Sequence, residues 1–419
     1  MRIVLPFALA SAVQAAVSCG FDTFNYTETT IDKLQDAMKF IGEVLTGANH
    51  AQHYLDMIDQ LNHNGPQLNA VIETSPTALA QAIAQDRNGT RSGLLHGIPI
   101  LIKDNIATTG DGLTTCTGSF AMEGNIAPRD AFLVQKLRAA GAIVLGHANM
   151  VEWANWRTLT ESVDWRYHPL LLTMFHTNSP RSARGGITKN PYVLTARTTG
   201  SSSGSGSTVA ANMIPVAIGT ETGLCPMGRT VADVARVLEA IAGFDPTDPA
   251  SKDAPVPEYS QTYNALTSFK KIRVAISKEA HDITKNKLLS QAHIDAFNQG
   301  VEKLKTLGAD IVYAPYPNAA AISESKCEFV ALTTEFKVDV EAYLSTLTWK
   351  EGVTPMKTLQ DITDYNAAHP DTELNVLDQS LLLLSLNGPN QSSSVYLDAL
   401  AVCQDLAVTN GIEKYIKDT

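Results

Sequence analysis

Five cysteines in 419 residues, at positions 19, 116, 225, 327 and 403, stand too far apart to mark a disulfide framework or a zinc site, and an odd count leaves at least one thiol unpaired. The chain has no internal repeat and no coiled-coil heptad, which excludes a solenoid or a rod. It lacks an apolar run of membrane length; the run at 381–384 is only a short core segment. Basic blocks are missing too, and 32 basic against 43 acidic residues give a net charge of −11, which excludes a sequence-independent hold on nucleic acid phosphates. With 27 glycines and 19 prolines the composition is neither collagenous nor of low complexity. What is present suits a large α/β domain: 44% of residues are hydrophobic and 18% charged, enough to bury a substantial core. The expected partner is a small molecule, with no nucleic acid and no membrane span.

Arg2, the apolar stretch 3–10 and the small-x-small pattern Val13-Gln14-Ala15 form a secretory signal over residues 1–18. Three sequons, at Asn25, Asn88 and Asn390, agree with export and glycosylation, so the expected location is extracellular.

Apolar residues recur at helical spacing over 31–45 and 51–61, and an Ala-rich helix follows around 78–85. The run 97–102 is apolar throughout and reads as a strand buried on both faces. Asp130 is placed to cap a helix through Leu137 that stops at Gly141, with 142–145 as the next strand. The same logic repeats later, with strands at 272–276 and 311–313 around a helix over 291–307. Alternating strands and helices predict a helix-covered, parallel or mixed sheet. His50 and His53 share a helix face without a third ligand nearby and read as a solvated pair, not a metal site.

Two features carry chemistry. Lys103 ends the apolar run Gly97-Ile98-Pro99-Ile100-Leu101-Ile102, where desolvation disfavours the ammonium and leaves a neutral amine as a general base. The plainer reading is a lysine whose ammonium reaches solvent at a strand end. The second is Gly200-Ser201-Ser202-Ser203-Gly204-Ser205-Gly206-Ser207. A flexible linker does not run straight into an apolar helix and a strand at 215–218, and a phosphate loop would require a Gly-Lys-Ser/Thr that is missing.

Together these two segments resemble the amidase signature family, which includes amidohydrolases of small amides, fatty-acid amide hydrolases and the A subunit of tRNA amidotransferases. Glu152-Trp153-Ala154-Asn155, Ser182-Ala183-Arg184-Gly185-Gly186, Thr188-Lys189-Asn190-Pro191-Tyr192 and Arg229-Thr230-Val231-Ala232-Asp233 extend the resemblance over most of the chain, nearest to secreted fungal members. It implies a layered α/β/α fold around a mixed sheet, over 19–419. It also implies hydrolysis of carbon–nitrogen amide bonds by a Ser-Ser-Lys triad, without metal or organic cofactor. Lys103 would be the base and Ser201 the bridging serine behind a cis peptide bond. The nucleophilic serine would follow about two dozen residues later in a Gly-Gly-Ser turn whose amides hold the oxyanion, with Thr222 and Gly223 at the oxyanion positions.

Here the chain departs from the pattern. An ungapped count from Ser201 puts Cys225 at the nucleophile position, and a thiolate is a competent acyl nucleophile. Yet Thr230-x-x-Asp233 opens the next helix almost at once, where the family has a long glycine-rich segment. The expectation is a deletion of the nucleophile segment, with Cys225 at that count by coincidence. Residues 161–180 have no counterpart in the family and read as an insertion, a translated intron, and the C-terminal segment is expected to be shortened. Amide hydrolysis by this chain is therefore expected to be impaired. A secreted amide-binding protein without turnover and an amidotransferase A subunit are the other readings, and the signal and sequons speak against the latter.

Overall fold

The computed structural model describes residues 24–40, 45–89, 93–159, 180–221, 224–254, 256, 258–262, 268–278, 290–375 and 377–419. The expected signal at 1–18, residues 161–179 of the expected insertion, and both Thr222 and Gly223 lie outside them. The chain divides into two compact units, Met1–Tyr263 with Tyr343–Leu382, and Asn264–Ala342 with Leu383–Thr419.

The first unit begins with two helices, α1 (Ile31–Phe40) and α2 (Gly47–Ile58), then β1 (Val71–Thr74), α3 (Ala78–Asn88) and β2 (Pro99–Lys103). It continues through α4 (Phe132–Ala139), β3 (Ile143–Ala148), α5 (Ser203–Ala210), β4 (Val216–Thr220), β5 (Leu224–Gly228) and α6 (Val231–Ile241). The five strands make one mixed sheet in the order β1-β3-β2-β4-β5. β2 lies parallel to both β3 and β4, whereas β1 and β5 close the edges antiparallel. All five residues of β2 are buried, which is why the run 97–102 shows no alternation. Ile31, Tyr54, Ala82, Val134, Val209 and Val237 bring these six helices into one apolar core with the strands. The fold is α/β, a mixed sheet covered by helices.

Two local readings are corrected. Asp130 does not cap α4: its carboxylate accepts from the Thr109 amide at 2.8 Å and from Arg138 Nε at 2.9 Å, and Ala131 takes the cap position. His50 is not solvated. It is fully buried, hydrogen-bonded to the Tyr26 hydroxyl and the Leu34 carbonyl, and burial pushes it down to about 4.

The Gly/Ser run becomes helix earlier than expected, at Ser203, in spite of poor helix propensity. Tertiary bonds explain this. Ser203 Oγ donates to Thr188 Oγ1, Ser205 Oγ to the Ile218 carbonyl and Ser207 Oγ to the Lys189 carbonyl. Gly204 faces backbone on the other side, where an added Cβ would collide with the Ala70 carbonyl and both backbone polar atoms of Asn149. Gly204→Ala is expected to cost about 1–3 kcal/mol, read as a fall in the thermal midpoint. An unchanged midpoint would show that α5 does not press on this edge of the sheet.

In the second unit β6 (Arg273–Ser277) and β7 (Asp310–Ala314) pair in parallel around α7 (Gln291–Thr306), the predicted strand–helix–strand unit. Ser290 caps α7 in a capping box with His293, and Gly308, at φ 101°, turns the chain after it. Cys327 and Cys403 form a disulfide with Cα atoms 5.6 Å apart. Their separation of 76 residues gave no sign of the pairing in the sequence. Of the run 381–384, Leu381 and Leu382 are buried, while Leu383 and Leu384 face outward. Among the described residues no helix is long and apolar enough to cross a membrane.

Candidate active site

β2 delivers Lys103 to the end of the sheet with its side chain fully buried. Its Nζ lies 2.6 Å from Ser201 Oγ, 2.8 Å from Thr220 Oγ1 and 3.3 Å from the Thr220 carbonyl. Burial pulls the amine down to about 7, and the fields of Glu221 and Cys225 oppose that pull. A neutral amine is therefore accessible near pH 7, and the solvent-reaching lysine is not what the fold makes.

Ser201 follows a cis Gly200–Ser201 peptide bond and is 9% exposed. Its carbonyl accepts from the Val151 amide at 2.9 Å, which fixes the backbone two residues before α5. Ser202 is tied differently: its hydroxyl donates to the Thr220 carbonyl and accepts from the Thr220 amide. The strand end at Thr220 thus holds both Lys103 and Ser202, and Asn105 Nδ2 donates to Thr220 Oγ1 at 3.1 Å.

Cys225 lies on β5, paired with Gly219 across a tight hairpin in which Thr220 faces Leu224. It is half-buried, and among the described residues no hydrogen bond links it to Ser201 or Lys103. Thr230 then caps α6, accepting from the Asp233 amide at 3.1 Å, as the spacing predicted.

Behind Lys103 is a buried ionic network that the sequence did not reveal. His147 Nδ1 lies 3.2 Å from both Asp104 and Glu73, and Arg184 approaches the same carboxylates at 3.9 and 3.6 Å. Asp104 also accepts from the Gly118 amide at 2.7 Å, so the residue after Lys103 anchors the loop that follows it. Burial alone would lower the His147 imidazolium, but hydrogen bonds to Asp104 and Glu73 outweigh it and hold its pKa at about 9. With the imidazole charged, His147 pairs with both carboxylates and ties β1, β3 and the segment after β2 together. Because the folded value lies above the ordinary 6.5, its stabilisation is complete below pH 6.5 and is lost as pH rises through 9. His147→Gln is expected to remove a stability change on the order of 3 kcal/mol over that window, measured by denaturation at pH 6 and pH 9.5. A variant with the parent's pH dependence would contradict this.

A second buried cluster brings Glu152 and Glu373 to Arg157, at 3.4 and 3.5 Å. Burial, with Glu373 as a like charge, raises the Glu152 carboxyl to about 8 against the pull of Arg157. Both glutamates border a cavity of about 220 Å³ whose lining includes Phe120, Ser182 and Leu377.

The amidase family model matches residues 52–223 and 225–402. The chain belongs to the amidase family. The match is interrupted at Leu224, where β5 begins. An Arabidopsis thaliana protein named as a probable amidase is 33% identical over 460 residues, covering 99% of this chain and 82% of its own. That alignment is longer than the chain itself, so the relative has internal residues for which this chain has none. The glutamyl-tRNA(Gln) amidotransferase A subunit from Microcystis aeruginosa is 31% identical over 68% of this chain and 60% of its own. Among solved structures, the peptide amidase of Stenotrophomonas maltophilia is similar, with a TM-score of 0.79 and 33% identity over 93% of this chain and 81% of that one. It shares the α/β fold with this family member.

Proposed function

We propose that Lys103 and Ser201 are the base and the bridging serine of a Ser-Ser-Lys amide-hydrolysing site whose nucleophile segment is missing from this chain. The contact of 2.6 Å between a desolvated lysine amine and Ser201 Oγ carries this reading. Three further observations support the missing segment. The family match breaks at Leu224; only three residues separate β4 from β5; and no serine occurs between Ser207 and Ser251. Amide hydrolysis without a nucleophile falls to the level that binding alone supplies, and the expected substrate class is a small-molecule amide. The Cys327–Cys403 disulfide supports an extracellular location, since such bonds persist in oxidising compartments.

The experiment is turnover of a primary amide by the purified chain at pH 8. The expected result is hydrolysis indistinguishable from buffer, in the parent and in Cys225→Ala alike. Turnover that disappears in Cys225→Ala would overturn the reading and make Cys225 the nucleophile.

A further inference from the structure

Lys103 has three partners at Nζ, and they differ in what they can donate. The Thr220 carbonyl only accepts, and Thr220 Oγ1 already takes donors from Lys103 and Asn105. Ser202 Oγ is occupied in both directions by the Thr220 backbone. Ser201 Oγ accepts from Nζ at 2.6 Å and is the hydroxyl left to hand a proton back once the amine is neutral. A neutral amine suits the same three distances, with two N–H bonds for the two Thr220 oxygens and its lone pair for the Ser201 hydroxyl.

We infer that Ser201 is itself an acyl nucleophile, activated by Lys103, and that this chain takes acyl groups from activated esters onto Ser201 Oγ. The inference rests on Lys103 being the base, as proposed above. In the first step Ser201 Oγ attacks the ester carbonyl and its proton passes to Nζ. The bond to the leaving alcohol then breaks, Nζ returns the proton to that alcohol, and an ester of Ser201 is left. In the second step Lys103 takes a proton from water, the hydroxide attacks the acyl carbon, and Ser201 leaves with the proton as the carboxylic acid is released. A depressed lysine pKa supplies the neutral base near pH 7. The class of donor follows from the leaving group: an amide nitrogen must be protonated before it can leave, whereas the phenolate of an activated ester leaves without that help. Ser201 is only 9% exposed, so the acyl group must be small.

The test uses the full chain and p-nitrophenyl acetate, following p-nitrophenolate release and locating the acetyl group by peptide mass spectrometry. The expected result is an acetyl group on Ser201, formed at a rate that rises with pH through about 7 and then levels. Lys103→Ala and Lys103→Arg are each expected to slow it by at least about 100-fold. Circular dichroism and a melting curve identify a variant that has not folded, and the adduct on the parent chain stands without any variant. Acetylation confined to Cys225 or to surface lysines, or a Ser201 rate unchanged in folded Lys103→Ala, would overturn the inference. Its failure is distinct from failure of the underlying reading: an unlabelled Ser201 with amides still unhydrolysed defeats only the dyad, whereas amide turnover lost in Cys225→Ala defeats the reading beneath it.

Discussion

Arg157→Ala is expected to destabilise the first unit by about 3–5 kcal/mol, because it strips the counter-charge from two buried carboxyls. Arg157 is 1% exposed, and its side chain approaches Glu152 and Glu373 at 3.4 and 3.5 Å while Nη2 also donates to the Glu373 carbonyl at 2.7 Å. Without it, both carboxyls must stay protonated or face each other as like charges. The loss is expected to be largest above pH 8, where Glu152 is ionised even beside Arg157, and smallest near pH 5. Adding Glu152→Gln to Arg157→Ala should recover part of it by removing one charge. The measurement is the thermal midpoint at pH 5 and pH 8.5. A midpoint within a degree or two of the parent at both would show that the cluster is solvated.

Lys103→Met is expected to remove the Ser201 acylation and to change how stability varies with pH. The folded amine sits at about 7, below its ordinary 10.5, so the folded chain binds fewer protons than the unfolded chain between these values. The parent therefore gains stability from Lys103 as pH rises from 7 to 10.5 and bears the full cost of the buried ammonium below 7. Methionine keeps the packing and never ionises. Relative to the parent, the variant should be most favoured at pH 6 and should lose that advantage by a few kcal/mol toward pH 10, an order of magnitude set by the shift. Urea denaturation at both pH values checks the sign. An advantage that grows with pH would mean that the folded lysine is held charged.

How much of this was legible depended on whether the cause was local. β2 showed plainly, because a strand buried on both faces is written as an unbroken apolar run, and Lys103 at its end followed from it. α7 showed as well, a helix over 291–307 that stops before Gly308. The start of α5 did not, because glycine and serine are poor helix formers and its bonds run to Thr188, Lys189 and Ile218. Asp130 had the position of a cap, but the Thr109 amide and Arg138 compete for its carboxylate. The Arg157 cluster was invisible, since Glu373 comes 216 residues after its partner. At the candidate site the residues Lys103, Ser201 and Cys225 were all legible. What was not legible was that Ser202 and Thr220 lock together and leave Ser201 as the hydroxyl facing the amine.

The central claim is that Lys103 and Ser201 form a working half of an amidase site whose nucleophile segment is missing. The most direct measurement is primary-amide turnover after the segment of the Stenotrophomonas maltophilia peptide amidase that aligns with the break is inserted between Gly223 and Leu224. The predicted result is a rise from background of at least about a thousandfold, lost again when Lys103 or Ser201 is changed to alanine. A folded graft that hydrolyses amides no faster than the parent would contradict the account.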